Sequence, residues 1–368
     1  MQLVHDADRE VLRSTVRKFV AARMPMSTVR SSSETPEGYD REIWQQMAQE
    51  LGLQGLAVPE QFGGSGMGFV EVGIVCEELG RGLAGVPYLS TAVMATELLL
   101  ACDDASTQAA LLPPIAAGDI TVAVGHDGGS SINAVELAGG WLLDGGCSFV
   151  LDGMHADHLL LFATTPAGLA VFHVEGSAPG LRRTALETMD QTRRQATLAL
   201  AGCRATLVGA VDTGATSRAR LLDRTLIAVA CEQLGGAARV LELSVRYATD
   251  RFQFGRPIGG FQAVKHTCAD MLIAVEQARA AVMYACWAAQ GAVEDLPVAA
   301  SLASLQATAA FTRAAGDTIQ LHGGIGFTWE HDAHLYFKRA TSTALLFGDA
   351  PRHRRRLALE LGLVEQAS

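Results

Sequence analysis

The chain has 368 residues, enough for two or three domains with a sizeable core. A formal net charge of -10 argues against a nucleic-acid partner, and a charged N-terminus with no long apolar run argues against a signal peptide or a membrane span. The seven cysteines are scattered without a CxxC pair, which points to a reducing compartment, the cytoplasm, and away from a zinc or iron–sulfur cluster.

The first third reads as helical. Asp6 to Met24 places Val11, Leu12, Val16, Phe19 and Val20 at helical spacing. A second helix is expected over Tyr39 to Leu51, ending toward Gly52. Pro59 to Gly68 (PEQFGGSGMG) is too rich in glycine for regular structure, and Glu60 within it reads as solvated. Helices are also expected over Val70 to Gly80, Thr91 to Ala101 and Thr107 to Leu112, the last stopped by Pro113 and Pro114. Together these make an N-terminal helical domain, residues 1–118.

From Thr121 the apolar period shortens to two. Strands are expected over 121–124, 140–143, 148–151, 158–162, 169–174, 181–186 and 194–200, with Asp144-Gly145-Gly146 as a separating turn. This is a β-domain, residues 119–205. His126 and Asp127 inside it read as caps of a glycine turn.

Residues 206–368 return to helix, over Thr213 to Thr249, Phe261 to Ala292, Val298 to Leu321 and His334 to Leu346, a four-helix bundle. Ala278 and Ala285 on the second helix permit close approach. Arg352 to Leu361, carrying Arg352, Arg354, Arg355 and Arg356, suits phosphate binding or, more cheaply, a solvated basic stretch, and Lys338-Arg339 is open to the same two readings. The class is therefore α+β.

Between the first two bundle helices the chain turns through Gly255, Pro257, Gly259 and Gly260. Arg251 and Arg256 lie there beside Phe252 and Phe254. Arginines among aromatics in such a turn suit an anionic, partly flat ligand, since guanidinium matches phosphate and a ring face stacks on a heterocycle. The bland alternative is a helix–helix corner with Arg251 paired to Asp250 or a nearby acid.

This stretch, RYATDRFQFGRPIGGFQ, resembles the C-terminal signature of acyl-CoA dehydrogenases, and QLHGGIGF at 320–327 resembles a second element of that family in the right order and spacing. Upstream, PEQFGG resembles the family's "PEEYGG" loop and Glu77-Glu78-Leu79-Gly80 its "EELG". The resemblance covers essentially the whole chain. It implies helical, β and four-helix-bundle domains, an acyl-CoA substrate, the cofactor FAD and an electron-transfer flavoprotein as acceptor. It further implies that Arg251 and Phe254 reach across a dimer interface to the neighbouring subunit's FAD, and that Gln262, Gln320, Gly323 and Gly324 line the dinucleotide. His266, one turn beyond Gln262, suits either that pocket or an interface hydrogen bond.

Two departures stand out. Where catalytic relatives carry a "TEPGAGSD"-like segment against the flavin ring, this chain has residues 124–131, VGHDGGSS, and Phe149-Val150-Leu151-Asp152 replaces the "WITN"-like strand. The family reaction removes an α-proton with a glutamate placed at one of two positions, and counting along the motifs puts Thr225 and Phe347 there. Neither takes a proton. Asp223, Glu232 and Asp349 are the nearest acids. Asp223 lies two residues, about 200° of helix rotation, from the expected spot, which leaves Glu232 and Asp349 as weak substitutes.

A kept clamp, an altered flavin-ring segment and vacant base positions resemble the base-lacking chain of actinobacterial heterotetrameric acyl-CoA dehydrogenases of steroid side-chain degradation. The expected role is to complete the flavin site of a paralogous catalytic subunit. A homotetramer with a displaced carboxylate, or a non-catalytic structural subunit, are the alternatives.

Overall fold

A computed structural model describes residues 7–126, 131–291 and 295–364. The chain opens with helices α1 (Ala7–Arg23), α2 (Met26–Ser33), α3 (Arg41–Leu51) and α4 (Phe69–Arg81). A π-helical stretch, Tyr88–Ala95, runs directly into α5 (Thr96–Cys102), and α6 spans Ala105–Ala116. The strands are β1 (Val122–Gly125), β2 (Ser131–Leu137), β3 (Gly140–Leu151), β4 (His158–Thr165), β5 (Gly168–Glu175), β6 (Leu181–Ala185) and β7 (Gln195–Val208). Helices α7 (Gly214–Asp250), α8 (Gln262–Gln290), α9 (Leu296–His322), α10 (Ala333–Leu346) and α11 (Ala350–Glu360) complete the α+β fold. Among the described residues no helix is long and apolar enough to cross a membrane.

Two expectations fail for identifiable reasons. Helix α6 does not stop at Pro113 but continues through both prolines to Ala116. The carbonyls that lose their N–H partners belong to Ala109 and Ala110, which are exposed and open to water. Asp144-Gly145-Gly146 is not a turn either, and the two strands expected around it are one, β3. Gly145, at φ +124°, sits at a shift in the β3–β7 register, and a Cβ there would meet the Ser131 carbonyl at 1.9 Å. Glycine here makes a bulge rather than a reversal. Helices α2 and α11 and strand β2 were not expected at all. Of the arginines in α11, Arg352, Arg354 and Arg355 are exposed as expected and Arg356 is half-buried. Arg339 is 3% exposed, which removes the solvated reading for it.

The chain divides into two compact units. One comprises residues 30–68 and 85–225, the other residues 1–29, 69–84 and 226–368. In the first, pairings β4–β5, β5–β7, β7–β3, β3–β2 and β2–β4 return to their starting strand and close a ring, with β1 added beside β4 and β6 beside β7. Alternate residues of these strands, among them Leu143, Leu159, Leu161, Phe172 and Leu198, fill its interior.

In the second unit α1 lies along α4, and the Glu77–Gly80 motif explains how. Glu78, 1% exposed, accepts from both Arg13 and Arg17, and Glu77 pairs with Arg13 and Arg279. Gly80 lets α4 and α7 touch backbone to backbone, since a Cβ on it would lie 2.2 Å from the Glu232 carbonyl oxygen. Gly235 answers from α7, where a Cβ would come within 1.8 Å of the Glu77 carbonyl oxygen. Gly235→Ala is therefore expected to destabilise the protein by about 1–3 kcal/mol, the usual cost of overpacking a close-packed contact. Thermal unfolding checks this, and an unchanged midpoint would mean the helices separate freely.

Candidate functional site

The corner after α7 is a two-residue hairpin. Phe252 pairs with Pro257 and Gln253 with Arg256, leaving Phe254 and Gly255 at the tip with φ of +51° and +77°. Positive φ at both central positions matches the twist of a tight hairpin. It suits Gly255 but is strained for a phenylalanine. The strained ring points into solvent, with Phe254 91% exposed and Phe252 61%. The Gly259 backbone folds back on α7 so closely that a Cβ would lie 3.0 Å from the Ala248 oxygen.

The arginines differ in their surroundings. The Arg256 guanidinium lies 4.1 Å from the centroid of the Phe261 ring. Asp250 pairs with Arg246 at 3.6 Å, not with Arg251. Among the described residues Arg251 makes no side-chain hydrogen bond or ion pair, and it is exposed. The helix-corner reading, which needed Arg251 paired to Asp250 or a nearby acid, finds no such pair among the described residues.

The second element stands beside the first. Gly323, at φ +61°, ends α9 by directing its N–H to the Ile319 and Gln320 carbonyls, and residues 323–327 form a 3₁₀ turn. No atom lies within 4 Å of a Cβ built on Gly323 or Gly324, so this backbone faces open space. The ends of α7 and α9 meet through Tyr247, whose ring stacks on His322 at 4.3 Å and whose hydroxyl donates to the His322 carbonyl. Burial holds the His322 imidazole below its usual pKa, which favours the neutral stacked form. Arg251, Phe254, Gln262, Gln320, Gly323 and Gly324 are all exposed and lie at or next to the ends of α7, α8 and α9. Phe327, Trp329 and Ile325 are 82%, 69% and 46% exposed.

The expected base positions offer no carboxylate. Thr225 is 1% exposed, and its Oγ1 is buried without a hydrogen-bond partner. Phe347 is buried. Of the substitute acids, Asp349 caps α11, its Oδ1 accepting the Arg352 N–H at 3.0 Å. Glu232 and Asp223 are buried. Residues 127–130 of the flavin-ring segment, including Asp127 of the His126–Asp127 pair, lie outside the described residues. Phe149, in the counterpart of the "WITN" strand, is left-handed at φ +59° and 52% exposed, next to a register shift in β3.

Sequence reasoning missed Glu97. Its buried carboxylate accepts from Arg224 at 3.1 Å, and burial pushes its pKa up despite Arg224 and Arg220. The available signal was a lone charge in the apolar run from Val86 to Cys102.

Comparison with known proteins identifies the family. Residues 6–119 match the family described as acyl-CoA dehydrogenase, N-terminal domain, and residues 212–361 match acyl-CoA dehydrogenase, C-terminal domain. Over 354 residues the chain is 37% identical to the acyl-CoA dehydrogenase IpdE2 of Mycobacterium tuberculosis, covering 96% of this chain and 97% of that one. Among solved structures, the ChsE4–ChsE5 complex from Mycobacterium tuberculosis superposes with a TM-score of 0.91 at 30% identity, over 100% of both chains. The steroid ACAD Tcur3481–Tcur3483 does so with 0.87 at 30% identity, over 97% of this chain and 98% of that one. On the sequence relationship alone, and with the helix–barrel–helix fold in agreement, the chain belongs to the acyl-CoA dehydrogenase family.

Proposed function

We propose that this chain is one subunit of an FAD-dependent acyl-CoA dehydrogenase and supplies the across-interface half of a flavin site whose catalytic carboxylate stands on a paralogous subunit. The observation that carries this reading is the pairing of an intact clamp with two vacant base positions. Among the described residues Arg251 is exposed and without an ion partner, and counting along the family motifs assigns Thr225 and Phe347, both buried, to the positions of the glutamate.

The residues fit a dinucleotide. Arg251 offers two parallel N–H donors to a pyrophosphate, Phe254 and Phe327 offer ring faces, and the open backbone at Gly323 and Gly324 permits close approach. FAD, when bound, supplies the hydride acceptor for oxidation at the β-carbon of an acyl-CoA. This chain's part is to bind and orient that cofactor and to exclude water from one side of it. An electron-transfer flavoprotein is the acceptor that the family resemblance implies for such a cofactor. Solved relatives that are a named complex, ChsE4–ChsE5, and a steroid enzyme, Tcur3481–Tcur3483, support a paired assembly and a steroid side-chain CoA substrate.

Co-expression with a glutamate-bearing paralogue, followed by mass measurement and flavin counting, tests the assembly. A yellow homotetramer that turns over acyl-CoA unaided would overturn it. The substitute-base alternative is tested by Asp349→Asn and Glu232→Gln. Asparagine still caps α11, so neither change is expected to alter turnover of the assembled enzyme more than a few-fold, whereas loss of a true general base costs about 10²–10⁴-fold. A loss of that size with flavin and assembly intact would make this chain the catalytic one.

A further inference from the structure

At one end of the β-barrel, strands β4 and β5 bring together two histidines and a carboxylate that the dehydrogenase reaction does not use. His158 stands directly opposite Glu175 in the antiparallel register, and His173 lies two residues before Glu175. Side chains two apart on a strand share a face, and directly opposed residues share it too, so all three project together. His158 Nδ1 lies 3.0 Å from His173 Nε2 and 3.3 Å from a Glu175 oxygen, and the other Glu175 oxygen lies 4.0 Å from His173 Nε2. From this arrangement we propose that His158, His173 and Glu175 form a binding site for a borderline divalent transition-metal ion of the zinc class.

The spacing is close to what such an ion requires. Tetrahedral coordination at about 2.0–2.1 Å places neighbouring donor atoms about 3.4 Å apart. The two nitrogens stand at 3.0 Å, each has a different Glu175 oxygen within 4.0 Å, and one donor from each residue lies within 4.8 Å of the others, so a turn of the exposed Glu175 carboxylate is needed to bring one oxygen to both nitrogens. The imidazoles need to part by only a few tenths of an ångström. Two nitrogens and one carboxylate oxygen select zinc, cobalt, nickel or copper over magnesium or calcium, which favour all-oxygen shells. The imidazole side chains are mostly covered, at 18% and 16% exposure, whereas Glu175 is 62% exposed and leaves the outer side open. A cavity of about 340 Å³ lined by His173, Glu175, Arg204 and Thr206 adjoins that side and has room for a water or a small anion as fourth ligand.

The neighbouring acid does not compete. Asp157 is already engaged, accepting from the backbone and hydroxyl of Thr121. The scaffold is stiff, because eight consecutive residue pairs, from His158–Glu175 to Thr165–Gly168, fix the β4–β5 register, and strands hold ligands more accurately than loops. The site involves no cysteine, in keeping with the scattered thiols.

The test uses full-length protein, purified with any partner it retains, stripped with chelator and titrated with Zn²⁺ alone by calorimetry and metal analysis. One equivalent per chain is expected, with thermal stabilisation on saturation. Glu175→Gln changes an exposed side chain and so leaves the barrel folded, and His173→Ala removes a ligand outright. Each is expected to weaken binding at least about tenfold, the smallest effect usual for disturbing a metal site. Cys268→Ser controls for the half-buried thiol and is expected to change nothing. Co²⁺ in place of Zn²⁺ is expected to give tetrahedral visible bands without sulfur charge transfer. No stoichiometric uptake, uptake unaffected by Glu175→Gln and His173→Ala, or uptake lost with Cys268→Ser would each overturn the proposal and leave an imidazole–imidazole hydrogen bond.

Discussion

Replacing Arg251 with alanine is expected to weaken FAD binding to the assembled enzyme about 10- to 100-fold. The size follows from removing a charge-assisted contact to phosphate, which contributes about 1.5–3 kcal/mol, at about 1.4 kcal/mol per tenfold. The expectation is sharp because nothing else in the described structure needs this guanidinium. Asp250 is engaged by Arg246, and Arg251 is exposed and makes no ion pair of its own. Thermal stability of the flavin-free protein should therefore move by no more than about 0.5 kcal/mol, as for most surface substitutions. Arg256→Ala is the internal comparison, since its guanidinium already lies over Phe261 and its loss costs packing within the corner. The backbone makes the same argument independently. A phenylalanine held left-handed and 91% exposed costs about 1–2 kcal/mol, and among the described residues its ring gains only an edge contact with Phe261 at 6.1 Å. Such strain belongs where a ligand or partner covers the ring. Flavin content and affinity unchanged in the Arg251→Ala assembly would reject the clamp.

Much of this corner is legible in the sequence, because its information is local. Arginines, aromatics and glycines fall within ten residues, and each type has a physical reason to be there. The Gly323 helix end was equally readable. What escaped was non-local or turned on a single dihedral angle. Asp144-Gly145-Gly146 reads as a turn by composition, and only the close approach of the Ser131 carbonyl reveals a bulge in a continuous strand. Pro113 and Pro114 read as a stop, yet the carbonyls they deprive of partners belong to exposed residues, so the helix continues. His158 and Glu175 are far apart in sequence and meet only because of the β4–β5 register, which no pattern within either strand specifies. Glu97 and Arg224 are further apart still. The expected base positions are the opposite case. Counting along the motifs assigns them to Thr225 and Phe347 without any long-range information, and the structure adds that Thr225 is buried with an unsatisfied hydroxyl.

The largest stability effect is expected at Glu78. Its carboxylate is 1% exposed and takes a fork from Arg17, Nε to Oε2 at 2.8 Å and Nη2 to Oε1 at 2.7 Å, with Arg13 Nη1 adding a third contact at 3.3 Å. Both arginines come from α1 and the glutamate from α4, so this cluster fixes one helix on the other. Glu78→Ala removes the shared anion, strands guanidinium groups beside a new cavity, and leaves Arg13 with Glu77 alone among the close partners on α4. Breaking a buried pair in this way costs about 3–5 kcal/mol. The lower end is expected here, because Arg17 is 48% exposed and water recovers part of its charge. The contrast is Asp270, whose pair with Arg313 is just as short at 2.8 Å but has both side chains more than half exposed. Asp270→Ala should cost less than about 1 kcal/mol, and that small effect should fade in high salt while the Glu78 effect persists. Burial rather than distance decides the outcome. A thermal midpoint lowered by several degrees for Glu78→Ala and hardly at all for Asp270→Ala is the expected result. Because the same α4 carries Gly80 against α7, and α7 leads into the Arg251 corner, flavin retention should fall along with stability in Glu78→Ala but not in Asp270→Ala. Equal and small effects from the two substitutions would mean that α1 is held by its apolar face, Val16, Phe19 and Val20, and that the arginine–glutamate cluster contributes little.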